Sequence, residues 1–206
     1  MIFKNKFVPW NKGKTVGQKK PLTFEQADRI KAYLEGSNRL RDLALFSCAF
    51  DTMLRGIDLL NIRVGDIQTS NELVKDEFFM RQRKTGNSVL VGLTPYSQAV
   101  LYRWITEARL TANDYLFMRQ RGCENQAITT DQYRKLVKSW VRAIGLDSAD
   151  YSTHSLRRSK AVMVYEETNK IDTVMCLLGH RNLSSTTFYL NTDRHDALEV
   201  ARGFHF

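Results

Sequence analysis

Along most of this chain apolar positions recur every three or four residues, and short β-like runs interrupt them only around residues 78–91. That pattern predicts helices with one small sheet between them. Thr23 with Gln26 three positions on is a capping-box pair, opening a helix that runs to Leu34 and stops before Gly36. A second helix is expected from Leu40 to Met53, rich in Leu43, Leu45, Phe46 and Phe50. Residues 78–83 and 88–91 are β-like, and Lys84-Thr85-Gly86-Asn87 between them is turn chemistry, so the two runs predict a hairpin. Leu101, Trp104, Ile105 and Ala108 then share one helical face. Tyr133, Leu136, Val137, Trp140, Val141 and Ile144 give the clearest helical period. Shorter helical pieces are expected near 155–168, 171–178, 184–190 and 194–202. The fold class is therefore mainly α with a small antiparallel β-sheet.

Length and composition narrow the class. With 206 residues and 43% apolar content the chain can bury a core of one ordinary domain. No apolar run reaches bilayer length and the first residues lack a signal-peptide pattern, so a soluble, cytoplasmic protein with no membrane partner is expected. Cys48, Cys123 and Cys176 form no CxxC pair, which predicts reduced thiols rather than disulfides or a thiolate metal site.

Charge adds a partner class. The net charge is +9, and six of those units come from Lys4, Lys6, Lys12, Lys14, Lys19 and Lys20, in a stretch of 20 residues without an acid. Residues 1–20 are thus expected to be a basic flexible arm and residues 21–206 the folded domain. Such an arm suits a polyanion, because each lysine that meets a phosphate releases counterions. A solvated tail kept soluble by charge has the same composition.

Four constellations carry candidate chemistry. In Thr153-His154-Ser155-Leu156-Arg157-Arg158, a helix starting near His154 would turn His154 and Arg157 to one side and offer its N-terminal N–H groups to a phosphate. A surface histidine beside a basic patch reads the same way. In Leu177-Leu178-Gly179-His180, Gly179 is the expected helix stop that presents His180 at a turn. Nine residues later stands Tyr189, a core or interface tyrosine unless neighbouring cations favour its phenolate. Arg55 precedes Asp58 by three, so the two are expected to meet on one helical turn, as a surface ion pair or as a phosphate-binding guanidinium oriented by a carboxylate. Lys84 lies at the hairpin tip, from which a proton donor can reach into a groove.

Arg55, the hairpin Lys84, HxxR, LLGH and a tyrosine nine residues on follow in an order that resembles the tyrosine recombinases, over roughly residues 21–200. Arg55-Gly56-Ile57-Asp58-Leu59, His154-Ser155-Leu156-Arg157-Arg158 and Leu177-Leu178-Gly179-His180-Arg181-Asn182 look like the family's three signature boxes. The resemblance implies the family's catalytic-domain fold and a site-specific DNA recombinase or integrase that works through a 3′-phosphotyrosyl intermediate. It implies that Arg55, Arg157 and His180 hold the scissile phosphate, Lys84 protonates the leaving 5′ oxygen, His154 assists proton transfer and Tyr189 attacks. Neither metal, cofactor nor ATP is expected, because guanidinium and imidazole groups meet the charge of the phosphorane and the phosphotyrosine stores the bond energy. Arg157→Ala is expected to abolish cleavage and leave the fold intact. A type IB topoisomerase-like relaxing enzyme and a DNA-binding regulator without turnover are the alternatives.

The expected partner is double-stranded DNA, bound by a tetramer on paired sites and by a monomer or dimer when free, with an accessory DNA-bending protein. Lys12, Lys14, Lys19, Lys20, Lys135, Lys138, Arg142 and Arg158 are the expected phosphate contacts. For Lys135, Lys138 and Arg142 a solvated face opposite Tyr133, Leu136 and Trp140 is the other reading. Only some 20 residues precede the first helix, where most family members carry a clamping domain, so the chain resembles the short fimbrial-switch, plasmid and phage integrases. A tail helix near 194–203, with Ala197, Leu198, Val200 and Ala201, is expected to pack on its own core or on a neighbouring subunit.

Overall fold

Thr23 begins the first helix as expected: its side chain accepts the N–H of Gln26, and the Gln26 carboxamide takes the N–H of Thr23 in return. The computed structural model describes residues 18–119 and 125–190. Lys12, Lys14 and the tail helix near 194–203 lie outside the described residues. So does the side chain of Tyr189, whose backbone falls in the last described helix.

In chain order the elements are α1 (Phe24–Gly36), α2 (Leu40–Thr52), α3 (Gly56–Leu59), α4 (Val64–Ile67), β1 (Glu77–Arg81), β2 (Ser88–Gly92), α5 (Pro95–Glu107), α6 (Thr130–Ala143), α7 (Thr153–Thr168), α8 (Ile171–Leu178) and α9 (Leu183–Leu190). The helix class and the single antiparallel pair are as the periodicity predicts. The differences are local. Helix α1 takes in Gly36 and stops at Ser37, ahead of Asn38 in the left-handed region. The helical turn expected at Arg55–Asp58 appears as α3 but begins only after Arg55, and α4 is too short to show a period.

The main core fills the space between α1, α2, α5 and α6. Trp140, Tyr133, Phe117, Ile30, Leu34, Leu45 and Leu101 are fully buried there. The Trp140 ring meets Phe46 edge-on at 5.9 Å between centroids, and its indole N–H points to the buried carboxylate of Asp42. Such aromatic pairs supply much of the burial energy of a small domain. A second, smaller cluster of Met53, Ala161, Val174, Leu178 and Leu190 joins α7, α8 and α9. In the hairpin, Phe78 faces Val91 and Met80 faces Val89 across the ladder on the buried side. Phe79 and Leu90 pair on the outer side and stay exposed. No helix among the described residues is long and apolar enough to cross a membrane.

Candidate phosphate-binding site

Helix α7 begins at Thr153, with Ser152 as its cap: the Ser152 hydroxyl accepts the N–H of His154, and Ser155 Oγ takes the N–H of Ser152. His154 therefore stands in the first turn, where helix N–H groups and the dipole favour an anion. Helix α8 stops at Gly179, whose φ of 64° is left-handed, and the N–H of His180 reaches back to Met175 O at 3.0 Å. This close is the glycine stop that the sequence announced. It has a second cause: a Cβ on Gly179 would lie 2.3 Å from Val89 Cγ2 and 2.8 Å from Gln82 Nε2. The turn carrying His180 is pressed directly against the hairpin carrying Lys84.

Those two turns, the α2–α3 junction and the start of α7 surround one cavity of about 720 Å³. Arg55, Lys84, His154, Arg158, His180 and Lys19 line it, with Ser184 and Ser185 of α9 opposite. No carboxylate lines it among the described residues. Four cationic side chains with no lining carboxylate among the described residues make a site that suits an anion.

Arg157 is brought to the same place one layer deeper. It is buried, and its guanidinium donates to the carbonyls of Met53 and, at 2.9 Å, Leu178. Its Nη2 also lies 3.5 Å from His180 Nε2. Arg157→Ala is expected to leave the fold intact, but it would strip Met53 O of its side-chain donor and leave Leu178 O with the Gln82 amide alone, a stability loss of about 1–3 kcal/mol.

Arg55 is not within a helix. It precedes α3 in an extended conformation, and its Nη1 donates to the side-chain oxygen of Gln82 at 2.6 Å. The expected Arg55–Asp58 pair does not form among the described residues. Asp58 is fully buried and its Oδ1 accepts the N–H of Arg83 at 2.9 Å, so the carboxylate holds the hairpin turn beside Lys84 and not the arginine. The extended Arg55 backbone breaks the helical spacing on which the expectation stood.

Both histidines are held toward the neutral form. Partial burial, then the charges of Arg157 and Arg55, push His180 down to about 4. His154 is lowered by the same order of causes, shielding from water first, then Arg157, Arg55 and Lys84. His180 Nδ1 lies 3.1 Å from the hydroxyl of Thr186, a fully buried α9 residue.

The expected DNA contacts divide. Lys19 lines the cavity, its Nζ bonded to Ala149 O at 2.6 Å, and Lys20 pairs with Asp150 at 2.7 Å. Arg158 is buried and donates to Lys19 O. These bonds fix residues 19–20 against the fold, whereas a free arm through residue 20 was expected. Lys135 pairs with Asp131 at 3.1 Å, Arg142 donates to Ser148, and none of Lys135, Lys138 and Arg142 lines the cavity. Gln82 and Thr186 are the residues that sequence reasoning missed. Neither carries a local signal, since their partners lie on other segments or depend on a turn.

Comparison with known proteins follows this geometry. The model of the phage integrase family matches residues 20–195. The tyrosine recombinase XerD of Listeria monocytogenes serotype 4b (strain F2365) is 24% identical over 197 residues, covering 92% of this chain and 63% of that protein. The tyrosine recombinase XerC of Caldanaerobacter subterraneus subsp. tengcongensis is 28% identical over 187 residues, 84% of this chain and 47% of the relative. The chain thus spans about half to two thirds of the length of these two relatives. Among solved structures, XerH recombinase bound to palindromic difH in a post-cleavage complex superposes with a TM-score of 0.71 at 22% identity, over 90% of this chain and 53% of that one. A lambda integrase dimer bound to a COC′ core site gives 0.63 at 18% identity, over 88% and 62%. Because the family model takes in nearly everything from the first turn of the fold to the tyrosine helix, the chain belongs to the phage integrase family.

Proposed function

We propose that this chain cuts and rejoins duplex DNA as a site-specific recombinase or integrase, with Tyr189 as nucleophile. One observation carries the reading: Arg55, Lys84, His154 and His180, from four separate segments, line a single cavity that has no carboxylate among the described residues, with Arg157 behind it. A phosphodiester is the anion such a set fits. In the reaction Tyr189 Oη bonds to phosphorus as the 5′ oxygen leaves. Neutral His154 takes the phenolic proton, and Lys84 gives a proton to the departing oxygen. Arg55 and His180 stabilise the phosphorane oxygens, a contribution of about 3–4 kcal/mol for a well-placed donor. Arg157 supplies positive field from behind. The 3′-phosphotyrosyl ester keeps the bond energy, so a partner strand's 5′-hydroxyl can reverse the step without ATP or metal.

The reading extends to a cytoplasmic protein, encoded on a bacterial chromosome, phage or plasmid, that assembles as a tetramer on paired sites with an accessory DNA-bending protein. It also divides the chain into a basic arm and a catalytic domain whose tail packs on its own core or on a neighbour. Lys12, Lys14 and Lys138 would contact DNA backbone. Nicked suicide duplexes tiled across the DNA flanking the chain's own gene test the chemistry. A denaturation-resistant protein–DNA adduct is expected with the natural chain and none with Tyr189→Phe, which still binds. Binding with no adduct from either protein would leave a regulator without turnover. Relaxation of supercoiled plasmid with no preferred site would point to a type IB topoisomerase-like activity.

A further inference from the structure

We infer that Gln82 is a positioning residue that aims Arg55 at the scissile phosphate while leaving the arginine's charge uncompensated. The inference rests on the strand-transfer reading above. Gln82 is 1% exposed, and its carboxamide orientation is fixed by its partners. Leu178 O can only accept, so the amide nitrogen faces it at 3.0 Å. Arg55 can only donate, so the amide oxygen faces its Nη1 at 2.6 Å. Thr85 Oγ1 donates to the same oxygen at 2.9 Å. The backbone of Gln82 closes the Lys84 turn, its N–H to Asn87 O and its carbonyl to Gly86 N, each at 2.8 Å. Leu178 O also receives Arg157 Nη2. One neutral side chain thus connects Arg55, the Lys84 turn and the carbonyl that leads into Gly179 and His180.

Neutrality is the functional point. A carboxylate at this position would grip the guanidinium more strongly, through a charge-assisted bond. It would also be a permanent rival to the phosphate, and it would set an oxygen against Leu178 O. An amide gives direction without consuming charge. Gln82 is the sole side-chain partner of Arg55 among the described residues, so the aim of that arginine depends on it.

The test compares Gln82→Met, similar in size but without the bonds, and Gln82→Glu. Both are assayed on the suicide duplex that traps the natural chain, and on the same duplex with a methylphosphonate at the scissile position. The methylphosphonate removes one negative charge from the phosphorane, so less of the reaction depends on Arg55. Gln82→Met is expected to bind the ordinary duplex within about 3-fold and to form adduct about 10²-fold more slowly. On the methylphosphonate its rate relative to the natural chain should return to within about 10-fold. A merely structural role moves both ratios equally, and that result overturns the inference. So does Gln82→Glu at the natural rate, since it keeps a grip on Arg55 but cancels its charge. Should Gln82→Met not fold, the same two-duplex comparison is read from Gln82→Glu. If no duplex traps the natural chain, the strand-transfer reading fails by itself. The placement of Arg55 is then read from sulfate binding to the free chain, followed at the His180 ring proton by NMR. Binding at least about 5-fold weaker in Gln82→Met is expected, and equal affinity rejects the role.

Discussion

His180 Nδ1 stands 3.1 Å from Thr186 Oγ1, and that contact joins the turn after α8 to the helix whose backbone carries Tyr189. On the other side of the ring, Arg157 Nη2 faces His180 Nε2 at 3.5 Å and can only donate. In the free chain Nε2 is therefore the acceptor, and Nδ1 carries the proton given to Thr186. To hold a phosphate oxygen, His180 must donate from Nε2 instead. A hydroxyl serves as acceptor or donor, so Thr186 keeps its bond through that change of tautomer.

Thr186→Val removes this partner at nearly constant volume. Adduct formation is expected to slow about 10-fold or more, with a stability loss of about 1 kcal/mol. Thr186→Ser should restore most of the rate. Single-turnover trapping beside thermal melts checks this; a valine variant at the natural rate would show that His180 needs no tether from α9.

Asp58 supports a different group from the one its spacing suggested. Its buried carboxylate receives the N–H of Arg83, next to Lys84. Asp58→Ala is expected to cost about 1–3 kcal/mol in urea melts and to slow cleavage about 10²-fold. On a duplex whose leaving group is a 5′ bridging sulfur, which departs without protonation, most of that loss should vanish. Asp58→Asn keeps an acceptor and should stay within about 3-fold of the natural rate. An equal loss on oxygen and sulfur duplexes would separate Asp58 from the work of Lys84.

Local patterns reported what local forces decide. The Thr23–Gln26 cap, the hairpin of two β-like runs around Lys84-Thr85-Gly86-Asn87, and the Gly179 stop each follow from neighbours within a few residues. The Arg55–Asp58 expectation failed because it assumed helical backbone at Arg55, which is extended, and the true partner lies 27 residues on across the fold. Arg157 is expected to hold the phosphate, and no sequence pattern shows that Ser155, Leu156, Arg157, Arg158 and Ser159 are all buried in succession. A helix start enclosed on every side leaves no apolar stripe to read. The family pattern is read from local motifs, whereas the carbonyls, amide and hydroxyl that hold Arg55, Arg157 and His180 belong to other segments and leave no local trace.

His180 makes the chain sensitive to acid. Its pKa is about 4 in the folded chain against 6.5 when unperturbed. Between those values the unfolded chain binds a proton that the folded chain refuses, so stability falls as pH drops from 6.5 toward 4. His154 is shifted in the same direction and adds to the loss. An anion between Arg55 and His180 offsets part of the cationic field, so it should raise the His180 pKa. Sulfate does not titrate in this range and is the suitable probe. The His180 ring proton is expected to titrate near 4 without sulfate and higher with it, and sulfate should bind more tightly as pH falls through this window. A midpoint indifferent to sulfate would place the anion elsewhere.

Gly179 is fixed by two separate demands, and a double-mutant cycle can divide them. An alanine there must take φ near +64°, which costs about 1–2 kcal/mol for an L side chain. Its Cβ would also press on Val89 Cγ2 at 2.3 Å and Gln82 Nε2 at 2.8 Å. Val89 is buried in β2, so its methyl must shift to admit the new Cβ. Gly179→Ala should therefore lose about 2–4 kcal/mol in urea unfolding. Val89→Ala alone leaves a small cavity and costs about 1–3 kcal/mol. In the double variant the valine methyl is gone, so the combined loss should be smaller than the sum by about 1 kcal/mol or more. The backbone strain and the contact with Gln82 remain, so adduct formation should stay low even where stability is regained. Additive losses would mean that the hairpin and the His180 turn are not in contact, and the alignment of Lys84 with His180 would then need another cause.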